Sequence, residues 1–124
     1  MILSNIFKYI SIDRKFNNGD TALILATANG HIDIVKILLK NKANINAKNN
    51  DGYTALIEAS IYGHKDIVKI LLDNKANIDA KNNYGSTALM KASYYGYTDI
   101  VKLLKNEHIR LIKGNIGNCF CSDI

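Results

Sequence analysis

Proline does not occur anywhere in the 124 residues, which excludes Pro-rich linkers, polyproline ligand motifs and collagen-like segments. Cysteine is confined to Cys119 and Cys121, two residues apart and far from the rest of the chemistry, so no disulfide framework staples this chain. No apolar run approaches the roughly 18–20 residues that a membrane-spanning helix needs. The stretch Met1–Tyr9 lacks the basic region and small-residue cleavage pattern of a signal peptide. These absences predict a cytoplasmic chain in a reducing compartment, with no membrane contact. What remains is a globular composition, 48% hydrophobic and 22% charged, with a net charge of +5 from 16 basic and 11 acidic residues. That balance permits an acidic partner without requiring one.

Self-similarity decides the architecture. Shifted by 33 residues, Gly19-Asp20-Thr21-Ala22-Leu23 falls on Gly52-Tyr53-Thr54-Ala55-Leu56 and then on Gly85-Ser86-Thr87-Ala88-Leu89. Asp33-Ile34-Val35-Lys36 likewise recurs as Asp66-Ile67-Val68-Lys69 and Asp99-Ile100-Val101-Lys102. Residues 19–51 and 52–84 are identical at 24 of 33 positions, far beyond chance.

Each copy reads as two short helices and an extended connection. Thr21, Thr54 and Thr87 are N-caps, whose hydroxyls can accept a free backbone N–H. The Ala-Leu-x-x-Ala that follows places small and apolar side chains on one face, suited to close helix approach. Gly30, Gly63 and Gly96 break the chain. A second helix begins with Asp33, Asp66 or Asp99 in its first turn, where negative charge suits the helix dipole. Asn-rich segments 41–50 and 74–83 lead to the next copy, with Ile45 and Ile78 as apolar anchors. One unit cannot bury its own apolar face, so the copies must stack. The expected boundaries are a capping half-repeat at 1–18, in which residues 2–9 take the place of an outer helix. Full units follow at 19–51, 52–84 and 85–114, the last with a capping helix that stops at Lys113-Gly114, and 115–124 form an irregular tail.

These residues resemble the ankyrin repeat, a 33-residue unit built on Gly-x-Thr-Pro-Leu-His-x-Ala and Gly-His-x-x-Ile-Val. The resemblance spans about residues 1–112 and implies an all-α solenoid of helix-turn-helix units with extended finger loops. Ala22, Ala55 and Ala88 replace the family's proline, and Ile24, Ile57 and Met90 its first histidine. Lys42, Lys75 and His108 stand where the family places a glycine. Each would cost about 1–2 kcal/mol if held in the left-handed region.

Catalytic chemistry finds no foothold. There is no His-x-x-x-His or Cys-x-x-Cys metal pairing, no phosphate-cradling P-loop and no Gly-x-Ser-x-Gly, so the chain reads as a non-enzyme without metal or cofactor. The resemblance gives His31 and His64 a loop-ordering role, and the aspartates recur by architecture. Lysines form ladders, Lys36/Lys69/Lys102, Lys42/Lys75 and Lys48/Lys81, which leaves weak nucleic-acid binding as an alternative. Only Arg14 and Arg110 could offer bidentate base readout.

The leading expectation is a protein-binding module, monomeric, with a protein partner of unknown identity. A structural fragment of a longer ankyrin scaffold is the other reading. The resemblance assigns contacts to the fingers and to the ends of the inner helices. Carried over by position, the candidates are Asp20, Asn29, Asp51, Tyr53, Ile61, Tyr62, Tyr84, Ser86, Tyr94 and Tyr95. Five are tyrosines, which offer large amphipathic area at low entropy cost. The resemblance also marks Asn46 as a possible site of hydroxylation.

Overall fold

The computed structural model describes residues 11–116. Within them lie six helices: α1 (Ala22–Ala28), α2 (Ile32–Lys40), α3 (Ala55–Tyr62), α4 (Lys65–Asp73), α5 (Ala88–Tyr94) and α6 (Thr98–Ile116). They pair as α1 with α2, α3 with α4 and α5 with α6. The inner helices α1, α3 and α5 pack side by side in one row, the outer helices α2, α4 and α6 in another. The expected half-repeat falls partly, and the Cys119/Cys121 segment wholly, outside the described residues.

The three threonine caps form as the sequence predicts. Thr21, Thr54 and Thr87 each accept the N–H of the residue three positions on, Ile24, Ile57 and Met90, at 3.2 Å. Ala55, Ala59, Ala88 and Ala92 are buried along the inner row, where a larger side chain would hold the helices apart. Leu56, Ile67, Val68, Leu71, Ile100 and Leu104 fill the space between the two rows. Truncating such a residue, Leu71→Ala for instance, costs about 2–5 kcal/mol.

Burial along each column shows which way a side chain points. Ile67 and Ile100 are buried where a preceding outer helix stands beside them. Ile24 and Ile57 are covered by the following inner helix, and Met90, with no further inner helix among the described residues, is exposed. The stack is therefore directional, and each copy completes its neighbour's core.

Between copies the chain runs out into fingers laced by hydrogen bonds. Within them the N–H groups of Phe16, Asn49 and Asn82 donate to the carbonyls of Asp20, Tyr53 and Ser86 at 2.9–3.1 Å. Between them, Asn50 N–H donates to the Asn18 carbonyl and Asn83 N–H to that of Asp51. Lys15 Nζ reaches the Lys48 carbonyl at 2.8 Å, and Lys48 Nζ reaches that of Lys81 at 2.9 Å. In the opposite direction Asn83 Nδ2 donates to the Asn50 carbonyl at 2.9 Å.

The last outer helix departs from the repeat. α2 and α4 end at Lys40 and Asp73, and Lys42 and Lys75 then adopt φ of 66° and 68°, the left-handed conformation that the glycine-like position demands. Their counterpart His108 stays helical, and α6 continues through Gly114 to Ile116 instead of stopping at Lys113-Gly114. Gly114 has no positive φ and no neighbour pressing on it, so nothing there forces a turn. Among the described residues no helix is long and apolar enough to cross a membrane.

Candidate functional site

The turns that follow α3 and α5 each carry a ring into the copy before them. His64 lies against Gly30, and its Nε2–H donates to the Ala28 carbonyl at 3.2 Å. Tyr97, in the same place one copy on, lies against Gly63, where a Cβ would come within 2.8 Å of the ring. Gly63 is thus required twice, for its φ of 74° and for the ring's approach. His31 is exposed and makes no side-chain cap bond. These rings lock successive helix ends in register, which fixes the surface beside them.

That surface is aromatic over the second and third copies. Tyr62, Tyr84 and Tyr94 are 54%, 75% and 80% exposed, with Tyr95 and Met90 also open to solvent. Tyr94 and Tyr95 meet edge to face with ring centres 5.0 Å apart, and Tyr95 leans towards Tyr97 at 6.2 Å. Tyr62 lies over His64 at 6.3 Å. Rings left in water and held in place by a neighbouring ring, as Tyr62 is by His64 and Tyr94 by Tyr95, are preorganised for contact.

The other candidates divide by environment. Asp51 is exposed at a fingertip, and Asn29 is exposed with its Nδ2 turned back onto the Leu25 carbonyl. Ile61, Tyr53 and Ser86 are half-buried. Asp20 is buried, with one carboxylate oxygen accepting from Asn18 Nδ2 at 2.7 Å and the other from Asn49 Nδ2 at 2.9 Å. It fastens two fingers together. Asn46 is exposed at its finger, and its Oδ1 accepts the N–H of Asn77 at 2.8 Å.

Sequence reasoning passed over the column Leu25, Glu58 and Lys91, one residue from each inner helix. Glu58 is half-buried, and burial together with the neighbouring Asp20 charge raises its carboxyl to about 7. The available signal was the disagreement of the three copies at this position, apolar, acidic and basic in turn. Among the described residues no three His, Cys, Asp or Glu side chains converge as a metal site. Lys36, Lys69 and Lys102 are exposed on the outer row, whereas Lys15 and Lys48 are drawn to finger carbonyls.

Two rows of short helices with laced fingers along one edge define a repeat solenoid. A family model described as Ankyrin repeats (3 copies) matches residues 2–82 and 43–115, and the chain belongs to that family. No curated protein matches the chain. Ankyrin repeats generally mediate protein–protein interaction, and the family is typically non-enzymatic.

Proposed function

We propose that this chain is a monomeric, cytoplasmic, non-enzymatic module that binds a protein partner through the face formed by its fingers and inner helices. The single observation that carries this reading is the exposure of four tyrosines, Tyr62, Tyr84, Tyr94 and Tyr95, together with Met90, on the second and third copies. Rings at these positions add nothing to the core, yet they lie on elements whose geometry is fixed by caps, ring contacts and finger lacing. Such a surface binds without first ordering itself. The decisive experiment is affinity capture from the native cytosol with the wild-type chain and a variant carrying Tyr62→Ser, Tyr84→Ser, Tyr94→Ser and Tyr95→Ser. Loss of a specific partner with an unchanged melting curve supports the reading; the same partner retained by the variant refutes it.

The exposed Lys36, Lys69 and Lys102 support a weaker second reading, nucleic-acid attraction along the outer row. Affinity for DNA or RNA would then fall steeply with salt, by counterion release. Absence of binding at low salt removes it.

A further inference from the structure

The inner row carries one more pattern, and it concerns the chemistry of the partner; the inference therefore rests on the reading just given. Leu25, Glu58 and Lys91 occupy the same register position on α1, α3 and α5, three helices packed side by side. Leu25 is exposed, and Glu58 and Lys91 are half-buried. Among the described residues neither the Glu58 carboxyl nor the Lys91 ammonium has a hydrogen-bond or ion-pair partner within the chain. The neighbouring Asp20 is buried and accepts from Asn18 and Asn49 through its two carboxylate oxygens. The row thus reads apolar, acidic, basic, one step per copy.

Packed helices lie about 8–10 Å apart. A polyproline II segment rises about 3.1 Å per residue with three residues per turn, so its side chains at i, i+3 and i+6 share one face at about 9.3 Å intervals. A β-strand would not serve, because its residues three apart point to opposite faces. We infer that the partner of this row is an extended, polyproline II-like segment of a protein, placing an apolar side chain over Leu25, a lysine or arginine over Glu58 and an aspartate or glutamate over Lys91. The charge order is the complement of the row, and reading the partner from its other end does not reproduce it, because the apolar position stands at one end only. Tyr62 and Tyr94, exposed on α3 and α5, offer ring faces beside the two charged positions.

The elements packed beside Glu58 carry few competing charges. α1 has none, α5 contributes Lys91 and Tyr94, and the fingers contribute Asp20 and Tyr53. On the outer side, Lys65, Asp66, Lys69 and Asp73 of α4 are all exposed to water. Glu58 must be ionised to hold a cation, so binding releases a proton whenever the free carboxyl is protonated. Affinity should fall about tenfold between pH 8 and pH 6, following the ionised fraction of a group near 7.

The test uses the whole chain and two synthetic proline-hosted peptides. One reads leucine–proline–proline–arginine–proline–proline–glutamate, and the other exchanges the arginine and glutamate. Titration followed by amide NMR should show the first peptide binding at least about tenfold more tightly, with shifts at Glu58 and Lys91. The preference should invert in the doubly substituted Glu58→Lys, Lys91→Glu chain, whose melting curve checks its folding; Glu58→Gln, as a second variant, should abolish the pH dependence. Equal affinity for the two peptides, binding of neither, or a preference unchanged in the double variant overturns the inference. Any of those results leaves the tyrosine-patch reading standing, since partner capture by the aromatic variant tests that separately.

Discussion

Asn49 Nδ2 donates to Asp20 Oδ1 at 2.9 Å, and this bond joins the second finger to the first. Asn82 holds the same place one copy later, but Tyr53 stands where an aspartate would, and the Asn82 Nδ2 is buried without a partner. A single sequence difference between near-identical copies thus leaves a buried donor unpaired, a loss of the order of 1–3 kcal/mol.

Restoring the acceptor should therefore be measurable as a coupling. Tyr53→Asp removes a ring and supplies a carboxylate, so its own effect on stability mixes two causes. A double-mutant cycle with Asn82→Ala isolates the new contact, which should be favourable by about 1 kcal/mol in urea unfolding. A coupling within about 0.3 kcal/mol of zero would show that Asn82 is not waiting for that acceptor.

The ring contact at Gly63 separates two effects that glycine substitutions usually confound. Gly63→Ala and Gly96→Ala meet nearly the same backbone, φ of 74° and 77°, but only Gly63 has a ring in the way of a Cβ. Gly96→Ala should cost about 1–2 kcal/mol from backbone strain alone. Gly63→Ala should cost more, and Tyr97→Ala should erase the excess. Equal losses at the two glycines would assign no role to the ring.

Lys42 and Lys75 sit in left-handed backbone that a glycine would adopt without strain. Lys42→Gly and Lys75→Gly should each stabilise the chain by about 0.5–1 kcal/mol, the relief of strain being partly offset by glycine's greater freedom when unfolded. His108→Gly, by contrast, falls inside α6 and should destabilise. Thermal melts of the three variants check the sign directly.

Glu58 makes stability depend on pH in an unusual direction for a carboxylate. Its pKa is near 7 in the folded chain against the ordinary value of 4.5, so the folded state binds more protons than the unfolded state between those limits. The stabilisation is fully present below about 4.5 and is lost as pH rises through 7. After allowance for solvent screening at this half-buried site, the loss is about 1–2 kcal/mol. Glu58→Gln should flatten the profile, and Asp20→Asn should shift it towards lower pH. An identical slope in the Glu58→Gln chain would place the titration elsewhere.

Much of the fold could be read from the residues because it rests on local chemistry. A threonine before Ala-Leu caps a helix by its own hydroxyl, and a glycine 33 residues from another adopts the same φ. The end of α6 was less legible, since Gly114 stops a helix only where a following turn requires left-handed backbone. The surface was legible in part. Tyr62, Tyr84, Tyr94 and Tyr95 stand out as aromatic residues at variable positions and are exposed. Asp20 shares their variability but is held inside by Asn18 and Asn49, a contact set by the approach of two fingers and not by local pattern. Glu58 gave no motif, because its character comes from burial and from Asp20, 38 residues earlier in the chain. Lys48 reads in the sequence as one rung of a lysine ladder, although its Nζ spans to the next finger, as that of Lys15 does.

The lacing between fingers runs in both directions, lysines reaching forward to the next copy and asparagines reaching back. Peeling any finger from its neighbour must break both kinds of bond at once, whereas the outer helices meet through apolar side chains and one exposed ion pair, Lys65 with Asp99. The finger edge then behaves as the inextensible side of a leaf spring. When the stack flexes, its curvature changes by spreading or closing the outer row, and the spacing of the fingertips stays constant.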